Sequence, residues 1–192
     1  MAMKGLLPLA VGLLIACGAV YASAASAGAV AAVRAAVVRD MAIAVAPWIP
    51  CTQGRARTLS LQTVRAQQRL VDAMIDQTYA PSEPTHAGIR TRLRALIADY
   101  GPGGAATRTG ETLCDVGGGI DRIQVRAITL AQGRAHMTVQ AHEWNETIGH
   151  HNHMAFHYKP QAIIAQTDEA VLQHGHWLIS QRGPVTFLTG AP

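Results

Sequence analysis

The apolar residues of this 192-residue chain change period once, near Ile120, and that change decides which fold classes are open to it. Upstream they recur at helical spacing. Leu61, Val64, Val71, Met74, Ile75 and Tyr79 fall near one stripe of a helix expected from about Ser60 to Tyr79, with Arg65, Gln67, Gln68, Asp72 and Asp76 largely away from it. An earlier helix fits Val30 to Ala46, stopped by Pro47 and the Trp48-Ile49-Pro50-Cys51 segment, which cannot continue it. Pro81 and Pro84 break the chain after the second helix. Thr85 is then expected to cap a third, in which Ile89, Leu93, Leu96, Ile97 and Tyr100 recur and which Gly101-Pro102-Gly103-Gly104 ends.

Downstream the period moves toward two. Ile123, Val125 and Ala127 alternate with Arg122, Gln124 and Arg126; Ile128 and Leu130 then shift phase, which predicts a bulge or a strand covered on both faces. After a turn at Gln132-Gly133, Met137, Val139 and Ala141 alternate with His136, Thr138, Gln140 and His142 as the second arm of a hairpin. The polar run Asn145 to Asn152 is expected to interrupt the sheet. A third strand fits Met154, Phe156 and Tyr158, continuing irregularly past Pro160 through Ile163 and Ile164 to Leu172. A tight turn at His174-Gly175 precedes a last strand carrying Trp177 and Ile179, then Val185 and Phe187, with Gly183-Pro184 marking a bend. Helices first and an antiparallel meander afterwards predict an α+β domain, its N-terminal helices packed on a curved antiparallel sheet of about four strands.

The run Glu169 to Ser180, with a strand, the Gly175 turn and the strand Trp177-Leu178-Ile179, resembles the closing hairpin of the nuclear transport factor two-like superfamily. The Ile123 to Trp144 hairpin fits the same curved sheet. In layout the resemblance spans roughly residues 58 to 188; in local pattern it covers about twenty residues. It implies a cone-shaped domain with a pocket between helices and sheet. It implies no particular activity, because members of that superfamily include enzymes, binding modules and assembly domains. The Pro160 stretch and a His-rich insertion depart from the pattern.

Residues 1–27 read as an export signal: one positive charge at Lys4, an apolar run from Gly5 to Tyr21, then the small residues Ala22 to Ala27. Three fates are compatible with it. Cleavage near Ala24 or Ala27 would release a soluble domain; acylation of Cys17, at the lipobox-like Leu14-Ile15-Ala16-Cys17, would make a lipoprotein; retention would leave a membrane anchor. Each places the mature chain outside the cytoplasm, as a secreted, periplasmic or cell-envelope protein touching membrane only through its N-terminal segment. The chain then divides into 1–27, the signal or anchor; 28–57, a helix and Cys-containing linker; and 58–192, the cone-like domain.

Export leaves Cys51 and Cys114 as an even pair, for which a disulfide is expected, closing a long loop. Two separate buried thiols are the alternative. The formal net charge of +4 comes from scattered arginines, with few aromatics to stack on bases. No nucleic-acid partner is therefore expected.

The chemical oddity lies between His142 and His157. His151, His153 and His157 share parity in an extended chain and could bind a transition metal, zinc or copper, with Glu143 or Glu146 completing the set, although the spacing matches no zinc signature. A His–carboxylate pair is the other chemistry available: His142 or His157 as base, oriented by Asp121 or Glu143. No nucleophile elbow, metalloprotease helix or phosphate loop accompanies it, and the cysteines are better read as a bridge than as nucleophiles. The sequence thus points to a non-catalytic ligand-binding or protein-interaction domain of the envelope, taking an envelope protein or a small apolar ligand, with no cofactor. A His-based metal-binding protein and a small enzyme of the same fold are the alternatives.

Overall fold

A computed structural model describes residues 27–151 and 154–189. Among the described residues four helices come first: α1 (Ala27–Val45), α2 (Leu61–Thr78), α3 (Pro84–Asp99) and the single turn α4 (Ala105–Arg108). Six strands follow: β1 (Thr112–Ala131), β2 (Arg134–His151), β3 (Met154–Tyr158), β4 (Gln161–Gln173), β5 (His176–Arg182) and β6 (Thr186–Thr189). The domain is α+β, with helices against a curled antiparallel half-barrel sheet. Its path runs β1-β2-β4-β5. β3 pairs with the same edge of β2 that β4 occupies further along, and β6 shares an edge of β4 with β5. Six strands therefore fill four ladder positions, two of which are broken, by Lys159-Pro160 and by Gly183-Pro184. At Gly183 a Cβ would lie 2.2 Å from the Thr167 carbonyl oxygen, so the second break needs its glycine.

Two-residue turns join β1 to β2 and β4 to β5. Gln132 and Gly133 have φ of 49° and 73°, and His174 and Gly175 have 50° and 82°, the left-handed pair that matches strand twist in a tight hairpin. Register slips by one residue at Asp115/Gly117, Ile120/Arg122 and Val125/Ala127. The third slip is the bulge that the phase shift predicts.

Several expectations are corrected. The sheet begins at Thr112, not Ile120, and Asn145 to His151 does not interrupt it, because those residues pair with β1 on one edge and in part with β3 on the other. Hydrogen bonding on both edges holds a polar strand that has no apolar alternation to announce it. The N-cap of α3 is Glu83 rather than Thr85: the fixed φ of Pro84 suits the first helical position, so the helix starts before the threonine. Ser60 does cap α2, accepting from the Thr63 amide at 3.1 Å.

One core unites the elements. Val33, Val37 and Met41 of α1 and Val71 and Ile75 of α2 are buried with Met137, Val139, Ile164 and Ile179 of the sheet. No helix among the described residues is long and apolar enough to cross a membrane. The signal and Cys17 lie outside them. Cys51 and Cys114 form the expected disulfide, with Cys114 inside β1.

Within this core sits a polar cluster that the apolar pattern does not announce. Asp40 and Asp168 are fully buried. The Tyr79 hydroxyl donates to Asp40, and the Gln166 amide donates to both carboxyls, at 3.2 Å and 2.7 Å. Arg182 is their one cation among the described residues, its Nε 3.4 Å from Asp40. Burial and the Asp40 charge push Asp168 up to about 6, against an unfolded value near 3.9. Between those values the folded protein holds a proton that the unfolded chain has released. That contribution, roughly 2–3 kcal/mol, is complete below about pH 4 and is lost as pH rises through about 6. Urea titrations across this window should show wild-type protein losing stability relative to Asp168→Asn; a pH-independent difference between the two would refute the assignment.

Candidate functional site

The helix-free face of the sheet carries the residues with accessible chemistry. Along β2 the side chains alternate: Ala135, Met137, Val139, Ala141 and Glu143 point toward the helices, His136, Thr138, Gln140 and His142 away. Across the ladder Arg122 stands opposite His142, and Gln124 opposite Gln140. The second and third bulges of β1 insert Asp121 and Arg126 beside them. Together with Ile163 of β4 these side chains border an open groove of about 370 Å³. Bulges re-aim side chains, and here they place a carboxylate and a guanidinium along one groove.

Asp121 is held from two sides. Its Oδ2 lies 3.0 Å from His142 Nδ1, and its Oδ1 accepts from the Trp144 indole at 3.3 Å. A carboxylate only accepts, so the geometry assigns a proton to His142 Nδ1, and Nε2 is the nitrogen that Asp121 does not engage. The indole reaches Asp121 because the facing strand lacks side chains there. A Cβ at Gly119 would lie 2.9 Å from Trp144 Nε1, and one at Gly117 would be 3.5 Å from the ring. Gly118, between them, leaves room for the end of α1, since a Cβ would meet the Val45 carbonyl oxygen at 2.3 Å.

Beyond Trp144 the same sheet carries a line of ion pairs. Lys159 Nζ lies 5.3 Å from the Trp144 ring centroid and 2.9 Å from Glu146, which His157 also contacts at 2.8 Å. Hydrogen bonds from Lys159 and then His157 hold the half-buried Glu146 carboxyl below its usual range. His151 pairs separately with Glu111 at 2.8 Å.

The expected histidine set is thus distributed rather than gathered. β3 turns back on β2, so His151 stands opposite Met154 and His157 opposite Ile148, which puts the two histidines on opposite faces despite their shared parity. His153 lies outside the described residues. Among the described residues no group of three His, Cys, Asp or Glu side chains is placed to hold a metal ion. Of the suggested acid–base pairs, His142 with Asp121 is brought together. Glu143 points to the other face, where burial raises its carboxyl and the Arg182 charge partly offsets that rise. Trp144, Arg126 and Lys159 were not singled out from the sequence. The three-glycine run of β1 is the signal that could have found Trp144, since glycines in a strand mark close approach of another group.

Comparison with protein-family models, with curated proteins and with solved structures gave no match.

Proposed function

We propose that this is an extracytoplasmic ligand-binding domain whose groove on the outer sheet face takes a small acidic ligand. One observation carries the reading: Asp121, the only carboxylate bordering the groove among the described residues, is committed to His142 and Trp144, which leaves the Arg122 and Arg126 guanidiniums as the charges facing a ligand. The Gln124 and Gln140 amides supply neutral donors alongside them. Guanidiniums bind carboxylates and phosphates through paired, charge-assisted hydrogen bonds. The Cys51–Cys114 disulfide is compatible with an oxidising compartment. The layout of helices over a curled sheet supports, at the level of architecture, kinship with the nuclear transport factor two-like superfamily.

Titration with citrate and with inorganic phosphate, followed by NMR, should give saturable shifts at Arg122, Arg126 and His142. In the Arg122→Ala/Arg126→Ala variant affinity should fall about tenfold or more. Equal affinity in that variant would remove the groove from consideration. A second reading rests on the His142–Asp121 pair: with Nδ1 fixed by Asp121, Nε2 is placed to take a proton from a bound ligand. Recovery of every bound ligand unchanged would leave binding alone.

A further inference from the structure

On the opposite face of the sheet, the end of α1 borders a second, smaller and partly open cavity. Its walls are Ala44 and Val45 from α1, Pro160 and Ala162 from the third ladder position, Phe187 of β6, and Trp144. Its volume is about 130 Å³, near the roughly 150 Å³ that admits a benzene ring in an engineered apolar cavity. Two polar residues also border it, Asn145 and Glu143. Among the described residues no hydrogen bond from another side chain reaches the half-buried Glu143 carboxyl. The charged group acting on it is Arg182 of β5, which is paired with Asp40.

We propose that this pocket binds a small alkylammonium ion, with Glu143 as its counter-ion. The lining selects the class. A neutral apolar molecule would fill the space and leave the carboxylate desolvated and unpaired, which costs free energy. An anion would meet the carboxylate directly. A hydrated metal ion would find one carboxylate and one amide among apolar walls, too few oxygens for its shell. An ammonium carrying methyl groups places hydrocarbon against Ala44, Val45 and Ala162 and its charge against Glu143, while the Phe187 ring offers a face that attracts cations. This site is distinct from the outer groove, so either can fail without the other.

The probe is tetramethylammonium chloride, compared with tert-butanol as a neutral molecule of similar shape and with sodium chloride at equal ionic strength. Binding is read from NMR shifts at Ala44, Ala162 and Phe187. Tetramethylammonium should saturate these shifts, bind at least about tenfold more tightly than tert-butanol, and lose about tenfold in Glu143→Gln. Its affinity in wild-type protein should rise with pH as Glu143 ionises, a dependence that Glu143→Gln lacks while Arg122→Ala/Arg126→Ala retains it. Equal binding of tert-butanol, unchanged affinity in a folded Glu143→Gln variant, a pH-independent affinity, or no saturable shift would each overturn the proposal.

Discussion

Replacing Arg182 by methionine should lower the unfolding free energy at neutral pH by about 3–5 kcal/mol, the usual cost of removing one partner from a buried ion pair. Asp40 has no accessible surface, and Asp168 has none either. Their other contacts are the Tyr79 hydroxyl, the Gln166 amide and, for Asp168, the Gly183 amide at 3.3 Å. These donors are neutral, and they leave two carboxyls facing one guanidinium. The Tyr79 hydroxyl cannot relieve the charge by ionising, since burial and the neighbouring Asp40 push its titration far upward. Methionine keeps most of the side-chain volume, so the loss reports charge rather than a cavity. The deficit should shrink as pH falls through about 6, because Asp168 then takes up a proton and one buried charge disappears. Asp40→Asn in the same background should recover part of the loss, as expected for residues that share one network. Denaturant unfolding at two pH values measures all of this; Arg182→Met with wild-type stability at neutral pH would mean that the guanidinium does not balance the cluster.

This cluster also shows where the amino-acid sequence stops being readable. Helix α2 was legible because Val71, Ile75 and their neighbours repeat at the helical period, and the bulge at Arg126 was legible because Ile128 and Leu130 fall out of phase. The His142–Asp121 pair can be reached by counting back along the hairpin from Gln132-Gly133 through that bulge. The first part of β1 was hidden because Gly117, Gly118 and Gly119 have no side chains and therefore no period. The far half of β2 was hidden because both of its faces are polar. Asp40 stood in plain view as a charge within the Ala- and Val-rich α1, but its partners come from Tyr79, Gln166 and Arg182, and only the folded chain brings those together. Local pattern reports which face of an element is buried; it does not report which polar groups meet inside. The Glu143 pocket fails to show for the same reason, since its walls come from α1, β2, β4 and β6.

Reducing the Cys51–Cys114 bridge should lower stability by about 4 kcal/mol without changing the fold. The two cysteines are 63 residues apart, and loop-closure arithmetic for a cross-link of that span gives an effect of this order. Reduction of the wild-type protein is a cleaner measurement than substitution, because Cys114 is fully buried and serine there would add an unpaired hydroxyl. The surrounding contacts explain why the fold should persist. The Asp115 amide donates to the Ile49 carbonyl at 2.7 Å, and the Ile49 amide donates to Asp115 Oδ2 at 2.8 Å. This segment therefore stays docked on β1 without the sulfur bond, and the bridge acts mainly by restricting the unfolded chain. For a domain of this size the loss corresponds to a fall of about 10 °C in Tm. Paired melts with and without reductant would measure it, with intact mass after alkylation confirming that two thiols have been released. An unchanged Tm would mean that the unfolded chain keeps the two segments together by other means, and the bridge would then say little about stability. A fall of the expected size would remove a large share of the 5–15 kcal/mol that a typical domain possesses, and the bridge is compatible with an oxidising compartment.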